Sequence, residues 1–173
     1  MNDLLRKKIK QIVDVLIDVC SLEIPVDLQE LVRSLGGQIT TSAEGSDSSA
    51  NGSVKRIDRY KFIITISPNQ CEQRKRFTIA HELGHLFLHL GFPRESNEKF
   101  EKEMYRIGAS EQEYQANEFA ACLLMPEKIF IDVVMDNTNK STGEVDIKAI
   151  AQYFNVSEAS AINRGKWLGI IQW

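Results

Sequence analysis

Apolar residues recur at helical spacing over much of this chain. Between Asn2 and Cys20 they fall at Leu5, Ile9, Ile12, Val13, Leu16 and Cys20, with charges between them, a pattern that predicts an amphipathic helix. Asp27, with Glu30 three residues on, forms a capping box ahead of the stripe Leu28, Leu31, Val32 and Leu35, and Gly36-Gly37 ends it. The period then shortens. Strands are predicted at Gln38–Thr41, Val54–Ile57 and Phe62–Ile66, the last being the strongest, with Asp58-Arg59 near a turn. Residues 42–53 are turn formers without apolar anchors and read as a mobile loop. From Gln70 onward the pattern is helical again: 70–90, a helix from near Ser110 to Met125, then 127–136, 145–154 and 158–167. Gly91 and Pro93 act as stop signals, and Pro126 ends one helix or starts the next. Helices with a few clustered strands fit an α+β fold better than alternating βαβ units.

Composition narrows the classes. A chain of 173 residues is expected to form a single domain over 1–173, with 143–173 a helix-turn-helix-like C-terminal subregion. A formal net charge of −3 argues against a broad electrostatic grip on nucleic acid or an anionic membrane. No segment approaches the roughly 18 apolar residues of a membrane span, and charges interrupt the first helix where a secretory segment needs an unbroken apolar run. Three scattered cysteines, Cys20, Cys71 and Cys122, do not make a disulfide framework, so reduced thiols and a cytoplasmic location are expected.

The chemistry concentrates in His81-Glu82-Leu83-Gly84-His85. On a helix, residues four apart share a face, about 6 Å apart along the axis. Two imidazoles so placed can converge on one Zn²⁺, while Glu82, beside the first of them, can reach a metal-bound water. Apolar neighbours Phe77, Ile79, Ala80, Leu83, Leu86 and Phe87 predict a buried helix, and all three histidines of the chain lie within nine residues. His89 continues the face but lies a further turn away, so it reads as a packed or hydrogen-bonding residue. The Arg74-Lys75-Arg76 run ahead of the motif reads as a solvated turn.

A catalytic zinc needs a third protein ligand and an open position. Without another histidine, a carboxylate on a second element is required. Glu113 is the best candidate: it shares a face with Asn117, which suits the free N–H of a ligand histidine, and Ala116, Ala120 and Ala121 allow a close approach to the histidine helix. Spacing alone leaves alternatives open. Ser110 with Glu113 also makes a capping box, Glu118 is a rival on the opposite face, and Glu101, Glu103 and Glu111 are not excluded.

These residues resemble a known family. Arg76-Phe77-Thr78-Ile79-Ala80-His81-Glu82-Leu83-Gly84-His85, ending Leu88-His89, with Glu113-Tyr114-Gln115-Ala116-Asn117-Glu118-Phe119-Ala120-Ala121 and Leu123-Leu124-Met125-Pro126, is similar to the ImmA/IrrE metallopeptidases. Pro25-Val26-Asp27-Leu28 resembles their N-terminal segment, and the likeness covers about residues 20–165. It implies a gluzincin-like zincin core, mostly helical, with a small antiparallel sheet, to which the residue pattern adds a C-terminal helical pair. It implies zinc held by His81, His85 and Glu113, with Glu82 the general base. It also implies a bacterial, phage or mobile-element peptidase whose substrate is a helix-turn-helix transcriptional repressor.

Three further expectations complete the reading. The Phe62–Ile66 strand is expected at a sheet edge, pairing with an extended substrate. Oxyanion stabilisation is left to Tyr105, Tyr114, Arg106 or His89. The rival function is DNA binding through residues 150–164, or regulation by binding around a non-catalytic zinc. The second of those two helices offers only Arg164 and Lys166 as cations, so packing or partner recognition is favoured over direct nucleic-acid binding.

Overall fold

The computed structural model describes residues 3–42, 52–93 and 109–170. Helix α1 (Asp3–Val19) buries Ile9, Val13 and Leu16, the stripe that its periodicity predicts. In α2 (Leu28–Ser34), the Asp27 side chain caps the helix by accepting from the Gln29 and Glu30 amides at 3.0 Å each. The strands β1 (Gly37–Thr41), β2 (Gly52–Arg56) and β3 (Phe62–Ile66) follow. Gly52 and Ser53 therefore belong to a strand rather than to the expected 42–53 loop, of which 43–51 lie outside the described residues.

The sheet order is β1-β3-β2, with β2 antiparallel and β1 parallel to β3. The antiparallel pairing expected of the sheet thus holds for the β2–β3 hairpin, and the sheet as a whole is mixed. Phe62, Ile64 and Ile66 are buried, alternating with half-buried Ile63 and Thr65. A strand with both faces this well covered belongs in the middle of a sheet. That position corrects the expectation of β3 as the substrate-binding edge. The edges are β1 and β2, and among the described residues no strand pairs with the outer side of β2.

Helix α3 (Glu72–Leu88) packs on β2 and β3 and, most extensively, on α4 (Ala109–Leu124). Arg74, Lys75 and Arg76 lie in its first turns, so the solvated-turn reading does not hold. Arg76 is half-buried, and its Nε donates to the Asn155 carbonyl at 3.1 Å. Then come α5 (Glu127–Asp136), α6 (Ile147–Phe154) and α7 (Glu158–Trp167). Asn155, left-handed at φ 51°, ends α6, and Ser157 caps α7 by accepting from the Ser160 amide. The core runs continuously from α1 through β3, α3 and α4 to α5, α6 and α7. Seven helices and one small sheet among the described residues make the fold α+β.

Candidate metal centre

Helices α3 and α4 meet at Gly84. A Cβ built there would lie 2.9 Å from the Ala116 Cα and 3.2 Å from the Phe119 Cβ, inside ordinary carbon contact distance. Only a bare glycine lets the backbones come this close. The approach brings Glu113, nearly one turn before Ala116, over the two histidines that flank Gly84.

The three side chains converge. The Nε2 atoms of His81 and His85 are 3.0 Å apart, and the Glu113 carboxylate lies 3.1 Å from the first and 3.2 Å from the second. His81 and His85 are mostly covered, whereas the Glu113 side chain is 58% exposed. The group His81, His85 and Glu113 is one that can hold a metal ion. Ser110 already has helical backbone within α4, so it does not occupy the N-cap position that the capping-box alternative for Glu113 requires.

The other carboxylates separate from it. Glu118 is buried on the far side of α4, 3.6 Å from Arg164, whose Nε also donates to the Met125 carbonyl. Glu111 is exposed and is not among the converging groups. Glu101, Glu103, Tyr105 and Arg106 lie outside the described residues.

Glu82 is buried beside the histidines, and its carboxyl is pushed up to about 7, first by burial and then by the nearby Glu113 carboxylate. Strand β2 covers it. A Cβ on Gly52 would sit 3.1 Å from a Glu82 carboxylate oxygen and 2.5 Å from the Thr78 methyl, so the strand passes over the glutamate only because residue 52 has no side chain. Burial, reinforced by His81, lowers His85 to about 4, and burial lowers His89 as well. Both are neutral at physiological pH, with a lone pair to offer.

The expectation for Asn117 holds: its Oδ1 lies 2.9 Å from the His81 Nδ1. An amide oxygen only accepts, so His81 carries its proton on Nδ1 and turns the Nε2 lone pair to the cluster. His89 is buried, as its spacing predicts, with Nδ1 facing the His85 Nδ1 at 2.9 Å and Nε2 facing the Gln115 Oε1 at 3.1 Å. Both ring nitrogens are engaged, which removes it as an oxyanion donor.

Gln115, Gly52 and Gly84 escape sequence reasoning. Gln115 had a usable signal, being a polar residue on the stripe it shares with Ala116, Phe119, Ala120 and Leu123, where a buried amide needs a partner. The glycines had none, since each is fixed by what another element brings against it.

A helix pair that joins two histidines to a carboxylate, with a buried glutamate alongside, defines a metallopeptidase-type scaffold. The family model described as Peptidase_M78, IrrE N-terminal-like domain, matches residues 43–166, and the chain belongs to that metallopeptidase family. A relative from Bacillus phage phi105, "Uncharacterized immunity region protein 2", is 38% identical over 76 residues, 44% of this chain and 45% of that protein, so the match spans less than half of the relative. A solved structure titled "Mycobacterium tuberculosis transcriptional regulator" shares the fold at a TM-score of 0.62 and 15% identity, covering 91% of this chain and 46% of that one. Among the described residues no helix is long and apolar enough to cross a membrane.

Proposed function

We propose that this chain is a zinc-dependent endopeptidase that hydrolyses a peptide bond in a helix-turn-helix transcriptional repressor and so relieves repression. The observation that carries the reading is the convergence of His81, His85 and Glu113 next to a buried Glu82. Ligands about 2.0–2.1 Å from a tetrahedral zinc lie about 3.3 Å from one another. The separations of 3.0, 3.1 and 3.2 Å are close to that edge length, so the donor set fits the ion. Two imidazoles and one carboxylate also match a catalytic site, which leaves a fourth position open, rather than a closed structural one.

Zinc, when bound, supplies a water of lowered pKa and polarises the scissile carbonyl. Glu82, buried beside the two histidines, takes the proton of the attacking water and passes it to the leaving amine. His81 and His85 hold their lone pairs toward the cluster, the former by its bond to Asn117. An extended substrate segment adds to the outer edge of β2 rather than to β3, passing Gly52 on its way to Glu82, with main-chain hydrogen bonds supplying the register.

The repressor as substrate is supported by membership of this family and by the immunity-region name of the phage relative. Such a substrate puts the reaction in the cytoplasm. Residues 1–173 act as one catalytic domain, and 143–173 serve as a packed helical pair. The DNA-binding alternative loses ground because Arg164, one of two cations on α7, points into the protein against Glu118.

The test uses the zinc-loaded protein with whichever helix-turn-helix repressors the surrounding genome encodes as candidate substrates. Mass spectrometry is expected to find cleavage that a chelator stops and zinc restores, and that Glu82→Gln abolishes while keeping its zinc. A fully active Glu82→Gln removes general-base catalysis from the reading. An intact repressor together with a gel shift on operator DNA transfers it to the DNA-binding alternative.

A further inference from the structure

One buried polar chain beside the site takes no part in the proposed reaction. Gln115 on α4, His89 at the end of α3 and His85 form a line of hydrogen-bonding contacts of 3.1 Å and 2.9 Å. Gln115 and His89 are both buried, at 5% and 6% exposure, so each polar atom in the line needs its partner inside the protein.

The direction of the line follows from its end. The Gln115 Oε1 can only accept, so the His89 Nε2 donates. A neutral imidazole carries one proton, which leaves the His89 Nδ1 as an acceptor. Among the described residues the group facing it is the His85 Nδ1, which must then be the donor. His85 is thereby left with a bare lone pair on Nε2, the atom 3.0 Å from the His81 Nε2 and 3.2 Å from the Glu113 carboxylate. Reversing the end reverses everything. A His89 protonated on Nδ1 donates to His85, which then carries its proton on Nε2, at the centre of the cluster.

We infer that Gln115 and His89 are positioning residues that fix the tautomer of His85 and thereby set the affinity of the triad for its metal. The inference rests on His85 being a metal ligand, as proposed above, and it deepens that reading. His81 is served by the parallel contact to Asn117, also from α4. Helix α4 thus contributes one ligand and orients both of the others.

The test reads tautomers in the metal-free protein, so it does not depend on cleavage or on zinc. The chain holds three histidines, which makes long-range proton–nitrogen NMR spectra simple to assign. In the wild type at pH 8, His85 is expected to be protonated on Nδ1 and bare on Nε2. In Gln115→Leu the acceptor is gone, and His85 should show mixed or inverted tautomers. Zinc affinity, measured by competition with a chromophoric chelator, should fall about 10- to 100-fold, the range for lost partners of ligand histidines. Gln115→Glu keeps an acceptor and should retain both the wild-type tautomer and an affinity at least equal to wild type. A wild-type His85 protonated on Nε2 overturns the inference. So does a Gln115→Leu protein with unchanged tautomer and affinity, or a Gln115→Glu protein as impaired as Gln115→Leu. Failure of the peptidase reading looks different: the repressor stays whole while the tautomers follow the pattern above.

Discussion

Replacing Gly84 with alanine tests whether the contact between α3 and α4 builds the metal site. The added methyl would lie 2.9 Å from the Ala116 Cα, 3.1 Å from its carbonyl oxygen and 3.2 Å from the Phe119 Cβ. Comfortable carbon contacts are about 3.5–4.0 Å, so the helices must part locally by about 0.6–1 Å. The nearest obstacles are backbone atoms, which cannot turn aside as the tip of a flexible side chain can. Two stability effects oppose each other. Alanine in a helix interior gains roughly 1 kcal/mol over glycine, whereas overpacking costs about 1–3 kcal/mol. The net loss expected from urea unfolding in chelator is therefore small, about 0–2 kcal/mol. The site should suffer more, because metal–ligand distances tolerate only about ±0.2 Å and Glu113 moves with α4 away from His81 and His85. Zinc affinity in a chelator competition should fall at least tenfold, or about 1.4 kcal/mol. A variant that gains about 1 kcal/mol of stability and binds zinc as tightly as wild type would refute the reasoning, since the helices would not then be touching at Gly84.

Two further outcomes follow from the buried charges. Arg164→Met leaves Glu118 buried without its cation and is expected to lower stability by about 3–5 kcal/mol in urea unfolding. Adding Glu118→Met should recover most of that loss, and a single-variant cost under about 1 kcal/mol would mean that the pair is not desolvated. Glu82, raised from an ordinary carboxylate value to about 7, binds its proton more tightly in the folded protein. Its contribution is fully present below pH 4.5 and is lost as pH rises through 7. In metal-free protein the stability of wild type relative to Glu82→Gln should therefore drop by roughly 2–3 kcal/mol between pH 5 and pH 8. The comparison cancels the histidines, and a flat difference across that range would show that Glu82 is not desolvated.

What the sequence revealed was local. Helical periodicity located α1 through Ile9, Val13 and Leu16, and the i, i+4 spacing of His81 and His85 put both rings on one face. Apolar density marked Phe62–Ile66 as the best strand, yet the density that made it conspicuous also reflects a central position, because a strand paired on both sides and covered on its faces has no edge to offer. Charge depends on context in the same way. Arg76 and Arg164 look like surface cations in a list of residues, but their fates depend on what α6 and α4 bring to them, an Asn155 carbonyl in one case and the Glu118 carboxylate in the other. Sequence distance hid these pairings, as it hid the pairing of Gln115 with His89.

The graded exposure of the site gives it a direction. Glu82 is buried beneath β2, His81 and His85 are mostly covered, and Glu113 faces outward. Glu82 is thus held by packing and the histidine rings by packing and a network of hydrogen-bonding contacts with α4, while the Glu113 carboxylate lies toward solvent. In the proposed binding mode a substrate strand on the outer edge of β2 meets Glu82 past Gly52, where any side chain would fill the space between strand and helix. The two glycines do complementary work: Gly84 brings Glu113 to the histidines, and Gly52 brings the sheet edge to Glu82. Neither residue carries chemistry, and the spacing of the residues that do depends on both.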